Sequence, residues 1–276
     1  MLERTDRLAL AVVQAEPAAE SFTDIFDAEM IGDERDEDAG ARRVTLQWGR
    51  DLVELYEPTG DGPAARFLKQ GRRGLFLGGF SLADPAALAA RLEQAGIRVC
   101  EQGDGRYVVF PEDLDGTGVV LSRTEERERV GLGDRIWQIT YAASDLEAAI
   151  ERYSALFGVE DLFTNRYPHE GFGYVGAITW FDARDGGRLD SLEYLEPSDP
   201  TKAVGRFVDR CGNGIYMASI ETDDIPEIRR RVEKSGPGWD GADFGGFIHP
   251  RRLHGLLLGL VTYENWNARR PLPGSA

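Results

Sequence analysis

The segment Glu54-Leu55-Tyr56-Glu57-Pro58 returns as Glu193-Tyr194-Leu195-Glu196-Pro197, and around this echo the two halves of the chain can be laid on each other almost end to end. Phe22 and Phe26 fall on Tyr153 and Phe157, an offset of 131. Gly74 and Asp84 fall on Gly214 and Asp224, an offset of 140, and Pro111 falls on Pro250, an offset of 139. A repeat of about 135 residues is domain-sized, unlike the ~20–50 residues of a solenoid unit. Each copy must then carry its own core and its own potential site. A length of 276 residues, enough for about two domains, agrees with this division.

Each copy shows the same succession of hydrophobic periods. Leu8 to Val13 reads as a strand and is followed by a helix with Phe22, Ile25 and Phe26 on one face. Ile136 to Ala143 is the matching strand, followed by a helix that opens with a capping box, Ser144 with Glu147. Its stripe of Leu146, Ile150, Tyr153 and Phe157 stops at Gly158. Strand-like runs follow at Val44 to Trp48 and Leu52 to Tyr56, and again at Val175 to Phe181 and Leu189 to Leu195. The order then restarts, with strands Leu75 to Leu82 and Ile215 to Ile220, helices after Asp84 and Asp224, and further strands closing each copy. The charged, Gly-punctuated stretch 123–133 lacks periodicity and reads as a linker between a domain at 1–122 and a domain at 134–276.

Charge narrows the partners. The chain has 48 acidic and 32 basic side chains, a formal charge of −16. Such a surface repels a phosphate backbone over a Debye length of ~8 Å, so nucleic acid is not an expected partner. No basic segment with an apolar run opens the chain, and the longest apolar runs, at 74–80 and 255–261, fall short of the ~20 residues of a span. The expectation is a cytoplasmic protein with a small-molecule ligand and no membrane partner, with a homodimer left open. Cys100 and Cys211 stand at unrelated positions without metal spacing and read as buried thiols.

Four βαβββ units in two pairs resemble the vicinal oxygen chelate superfamily, which includes glyoxalases, extradiol dioxygenases and methylmalonyl-CoA epimerases. The second half is most similar to the epimerases, through 145–153, Leu195-Glu196-Pro197, 212–217 running to Asp224-Ile225, and Phe247-Ile248-His249-Pro250 with 255–258. The resemblance implies an α+β fold of tandem duplicated, glyoxalase-like domains, each a half-open barrel whose concave face holds a divalent metal in the family. Carried over position by position, the family's ligand sites fall on Gln138, Glu193, Met217 and Gly259 in the second copy. In the first copy they fall on Arg7, Glu54, Leu77 and Ser122. A divalent cation needs several imidazole or carboxylate donors at ~2.0–2.2 Å. Each copy keeps one carboxylate, so a metal is disfavoured as a cofactor, and extradiol dioxygenase chemistry with it. His169, His249 and His254 lie in loops off those positions and are expected to be solvated. No P-loop or GxGxxG after a strand supports a nucleotide cofactor.

Strand alternation gives a separate reading of the concave face, since residues two apart share a side. Gln138 goes with Thr140 and Ala142, and Met217 with Ser219, while Trp137, Ile139, Tyr141 and Tyr216 take the other side. In the first copy Arg7 goes with Ala9 and Ala11, and Leu77 with Gly79 and Ser81. Small residues on the inner face predict two hollow domains, with Arg7 and Glu54 paired across the first. Glu193 has no such partner in sequence. A desolvated carboxylate without a metal or Arg beside it has a raised pKa and suits proton transfer near neutral pH. Gln138 would hold an oxyanion opposite it, and Thr140, Met217, Ser219 and Gly259 would line the substrate space. The bland alternative makes Glu193 a structural or surface residue. Arg251 and Arg252 are either a grip for a carboxylate or phosphate or a solvated turn. Trp239, within the Gly-rich stretch 236–246, belongs to a mobile lid or to a plain flexible connection.

These features predict an isomerase- or lyase-type protein that moves a proton on a small organic acid or acyl thioester without a metal, the second domain being functional and the first structural. A rival reading is a metal-free binding or sequestering protein that holds a planar aromatic compound between Trp137, Trp180 or Trp239. A third is a metal-dependent epimerase using Glu193 and Gln138.

Overall fold

A computed structural model of the chain describes residues 1–184, 186–268 and 270–273. The first copy runs β1 (Arg4–Ala11), α1 (Ala15–Phe26), β2 (Glu29–Asp36), β3 (Ala41–Trp48), β4 (Asp51–Pro58), α2 (Pro63–Lys69), β5 (Gly74–Leu82), α3 (Pro85–Gln94), β6 (Cys100–Glu101), β7 (Tyr107–Val109) and β8 (Val119–Arg123). The second runs β9 (Arg135–Ala142), α4 (Leu146–Phe157), β10 (Thr164–His169), β11 (Tyr174–Trp180), β12 (Ser191–Pro197), α5 (Ala203–Cys211), β13 (Gly214–Glu221), α6 (Ile225–Lys234), β14 (Trp239–Ala242), β15 (Gly245–Ile248), β16 (Leu258–Val261) and α7 (Tyr263–Asn267). Each copy forms one eight-stranded sheet, ordered β2-β3-β4-β1-β5-β8-β7-β6 and β10-β11-β12-β9-β13-β16-β15-β14. Two βαβββ units thus stand side by side in each sheet, joined where β1 meets β5 and β9 meets β13. This is the tandem, mixed α+β architecture expected from the repeat.

The Glu-Pro echo has a structural half. Glu57 accepts a hydrogen bond from the Ala15 backbone N–H at 3.0 Å, and Glu196 from that of Leu146 at 2.8 Å, so the second glutamate of each echo caps the first helix of its own copy. The N-cap of α4 itself is Asp145, whose side chain accepts from Ala148 N at 2.9 Å; the expected capping box from Ser144 is displaced by one residue. Gly158 ends α4 with φ 68°, the left-handed conformation that a glycine adopts without a Cβ penalty.

The outer faces of the two sheets share one core. Phe22, Phe26, Ile139, Tyr153 and Phe157 belong to a single buried cluster drawn from both copies, with α1 against α6 and α3 against α4. The contact is reciprocal. Asp51 accepts from Ile136 N at 2.6 Å and Asp190 from Thr5 N at 2.8 Å, and each pair occupies the other's place in its own copy. Gly74 and Gly214 are similarly exchanged: a Cβ on Gly74 would strike the Gly255 backbone, and one on Gly214 would crowd Arg72 and Gly116. The domains are therefore related by a pseudo-twofold axis, as in an isologous dimer fused into one chain.

Both central strand pairs carry bulges at matching places. In the first copy the register slips between Thr5 and Arg7 and between Ala9 and Leu10. In the second it slips between Ile215 and Met217 and again at Trp137, between the pairs Ser219↔Gln138 and Ile220↔Ile136. A bulge adds one residue and re-aims a side chain. Trp137 and Tyr216, placed on the outer face by strict alternation, are turned to the concave side.

Candidate functional site

Glu54 and Glu193 occupy the same lattice point. Glu54 lies between Thr45 and Ala9, and Glu193 between Ile178 and Thr140. Leu77 and Met217 correspond likewise, through their pairing with Ala9 and Thr140. Gly259, paired with Ser219, corresponds to Val120, paired with Gly79; Ser122 lies two residues farther along, so the position assigned to it from sequence belongs to Val120.

The first concave face is filled, contrary to the hollow expected from its small residues. Phe67 on α2 packs with Phe76, Phe110 and Tyr56 over Ala9, Ala11 and Leu77. Glu54, 2% exposed, accepts from Arg7 Nη1 at 2.9 Å, from Arg106 Nη1 and Nη2 at 2.8 Å each, and from the Tyr56 hydroxyl at 3.1 Å. Ser122 Oγ accepts from Arg7 Nη2 at 3.2 Å. Burial by itself would raise the Glu54 carboxyl, but Arg106 and Arg7 outweigh it and hold the group at about 2. This is a plug of paired charge, with no proton to give.

Across the second site the arginines are gone. The places of Arg7, Arg43 and Arg106 are taken by Gln138, Gly176 and Gly245. Glu193, 8% exposed, accepts from Thr140 Oγ1 at 2.6 Å and from the Tyr167 hydroxyl, a short contact. Tyr167 reaches it by crossing Gly176, where a Cβ would stand 2.6 Å from the tyrosine ring. Burial raises the Glu193 carboxyl above its ordinary range, and the two hydroxyl donors pull it only part of the way back. Burial and the adjacent carboxylate keep Tyr167 protonated as a donor.

Glu193 opens onto a cavity of about 410 Å³ walled by Tyr174, Tyr216, Met217, Trp239 and Phe247, with His249 and Arg251 among its lining residues. The glycine-rich stretch forms the β14–β15 hairpin at the sheet edge, and Trp239 is a strand residue that walls the cavity. Arg251 lines the cavity and donates to His249 Nδ1 at 3.2 Å, whereas Arg252 turns away, donating to Pro237 O at 3.2 Å and lying against Gly238. Gln138 is off the cavity wall: it donates to Ser191 Oγ at 3.3 Å, one row from Glu193. Trp137 and Trp180 are buried and near-parallel with ring centroids 6.5 Å apart, and they pack with Trp266 of α7 in a separate apolar cluster.

The corner where a metal would be held is also occupied. A Cβ on Gly259 would lie 2.8 Å from Ser219 Oγ and 3.2 Å from Met217 Cε, so a thioether methyl and a hydroxyl fill it. Among the described residues, no three His, Cys, Asp or Glu side chains converge. Gln138, Glu193, Met217 and Gly259 do not make a donor set for a hard divalent cation.

Residues 137–239 match one model of the glyoxalase/bleomycin resistance protein/dioxygenase superfamily, and residues 4–121 match another. The chain belongs to this superfamily. A superfamily relative, the ethylmalonyl-CoA/methylmalonyl-CoA epimerase of Cereibacter sphaeroides, is 30% identical over 133 residues, 45% of this chain and 99% of the epimerase. A variant of the 4-hydroxymandelate synthase of Streptomyces coelicolor superposes with a TM-score of 0.67 over 94% of this chain and 92% of its own, at 13% identity, a likeness of fold. A variant of the methylmalonyl-CoA epimerase of Streptomyces coelicolor, solved with 2-nitronate-propionyl-CoA, is 30% identical, covers 48% of this chain and 95% of its own, and has a TM-score of 0.41. Arg106 and Tyr167, which decide the character of the two superfamily sites, escaped the sequence reading. The signal for both lay in the loss of arginines to glycines between the copies.

Proposed function

We propose that the second domain carries out metal-independent proton transfer next to the carbonyl of an acyl thioester or small organic acid, with Glu193 as the base. The observation that carries this reading is a buried carboxylate with a raised pKa that faces a cavity and, among the described residues, has no cation paired with it, at the point where the first copy neutralises its glutamate with arginines. In the forward step Glu193 takes the α-proton while Thr140 and Tyr167 hold the carboxylate in place. Gln138 cannot serve as the oxyanion donor from its place beside Ser191. Trp239 is the better candidate, because its indole N–H is buried without a partner among the described residues and its side chain lines the same cavity. The resemblance to an ethylmalonyl-CoA/methylmalonyl-CoA epimerase over the second half supports the thioester class.

Exchange of solvent deuterium into the α-carbon of short acyl-CoA thioesters, followed by mass spectrometry, tests the proposal. Glu193→Gln should slow exchange by ~10²–10⁴-fold, Glu54→Gln should leave it near wild type, and dialysis against EDTA should not alter it. Full exchange by Glu193→Gln protein would refute the assignment. The second reading, a binder without turnover, is favoured by the aromatic lining of Tyr174, Tyr216, Trp239 and Phe247. It predicts saturable binding with no exchange by the wild type.

A further inference from the structure

A larger hollow, about 610 Å³, lies between the domains, and Ala203, Tyr216, His249 and Leu257 line both it and the Glu193 cavity. These four residues form a common border of the two spaces, and each space is of ligand size, within ~300–1,000 Å³. The walls of this cleft carry Arg72 and Arg73 from the first domain and Arg206 and Arg210 from α5 of the second. Among the described residues none of these four has a carboxylate within 4.0 Å, although the chain holds 48 acidic against 32 basic side chains and arginines elsewhere, such as Arg42, Arg166 and Arg230, are paired.

Arg72 is the most informative of the four. It is 7% exposed, stacks over Phe67 at 4.7 Å, and has only carbonyl partners, Gly116 O at 3.0 Å and Asn213 O at 3.4 Å, both reached from Nη2. A guanidinium buried without a counter-ion is costly and awaits one. The cost is confined to one copy, since Arg72 and Arg73 stand where the pseudo-twofold places Gly212 and Asn213. The counterpart cleft near Pro111 also carries Arg66 and the shared Arg72, but Arg66 is paired there with Glu112, whereas the cleft that borders the Glu193 cavity adds Arg73, Arg206 and Arg210 with no carboxylate within 4.0 Å among the described residues.

We propose that this interdomain cleft binds the phosphate-bearing arm of the substrate, a diphosphate-class anion, while the acyl end enters the Glu193 cavity. The first domain then contributes half of an anion clamp through Arg72 and Arg73, and guanidinium forks suit phosphate oxygens better than ammonium groups do. The inference rests on the function proposed above for its acyl end, and on the cleft alone for its anion.

Calorimetric titration of the full-length protein with inorganic pyrophosphate tests it without turnover. Saturable binding is expected, weakened about tenfold or more by the exposed double variant Arg206→Gln/Arg210→Gln and by Arg73→Gln, and unaffected by Glu193→Gln. A second arm compares deuterium exchange into an acyl-CoA with exchange into the same acyl group on uncharged pantetheine. The truncated thioester should show a KM raised about tenfold or more, and the double variant should erase that difference. Absence of pyrophosphate binding, or binding that the double variant and Arg73→Gln change less than twofold, would overturn the cleft assignment. Loss of exchange with pyrophosphate binding intact would strike only at the base.

Discussion

The same substitution at the two corresponding glutamates should move stability in opposite directions. Glu54 is held at about 2 against an ordinary 4.5. That difference, at 1.36 kcal/mol per pKa unit, is worth about 3 kcal/mol of native-state preference for the charged form. Glu54→Gln removes it and leaves Arg7 and Arg106 buried and uncompensated, a loss of ~3–5 kcal/mol by the rule for broken buried pairs. For a chain of 276 residues the unfolding entropy is about 0.6 kcal/mol/K, so Tm should fall by about 5–9 °C at pH 7. Because the folded pKa lies below the unfolded one, this stabilisation is complete above pH ~4.5 and is lost as pH falls toward 2; the gap between wild type and Glu54→Gln should close over that window. Glu193 has the opposite sign. Burial raises its pKa, so the charged form carries a penalty at neutral pH that a neutral amide lacks, and Glu193→Gln should be neutral or stabilising. Thermal melts followed by circular dichroism at pH 7 and pH 3 decide the matter. Equal Tm shifts in the two variants, or a Glu54→Gln protein within about 1 °C of wild type at pH 7, would refute the plug-and-base distinction.

Tyr167→Phe removes a donor that lowers the Glu193 pKa, so the acid limb of the kcat/KM profile for exchange should move to higher pH; an unmoved limb would detach Tyr167 from the base. Gly176→Ala should give the same kinetic defect by displacing the Tyr167 ring, at a cost of ~1–3 kcal/mol in urea unfolding, and a fully active variant would contradict it. Asp51→Ala strips the buried Arg4 of its close partner at 2.8 Å, leaving it the exposed Glu126 at 3.4 Å, and strips the Ile136 N–H of its acceptor. Burial pushes the Asp51 carboxyl up to about 8, so at neutral pH the loss is chiefly that of a buried acceptor; stability should fall by ~1–3 kcal/mol, and no measurable loss would show that the reciprocal interdomain contacts are dispensable. Trp239→Phe should abolish any fluorescence change on adding an acyl-CoA while leaving the circular dichroism spectrum intact; a retained change would place the ligand elsewhere.

The fold was legible because the duplication states every strand, and every helix but α7, twice. The stripe Leu146, Tyr153, Phe157 is clearer than its counterpart around Phe22 and Phe26, and one interprets the other. The short helices α2, α5 and α7 were not, since 7, 9 and 5 residues hold too few turns to show a period. Face assignments failed where the backbone adds a residue. Alternation is a rule of period two, and one bulge reverses every assignment beyond it, which is why Trp137 and Tyr216 were read as facing away from the concave side. The site itself was half legible. Glu54 and Glu193 stand in the echo, and Arg7 is near in pattern, but Arg106 comes to Glu54 from 52 residues away, in the turn between β6 and β7. Only comparison of the copies could have flagged it: a glycine inside a strand weakens pairing unless something must come close, and Gly176 and Gly245 both stand where the first copy has arginine. Emptying one barrel of cations admitted the Tyr167 ring and left space against Glu193. The character of the second concave face was thus written in what its sheet omits, which no motif search over the retained residues could read.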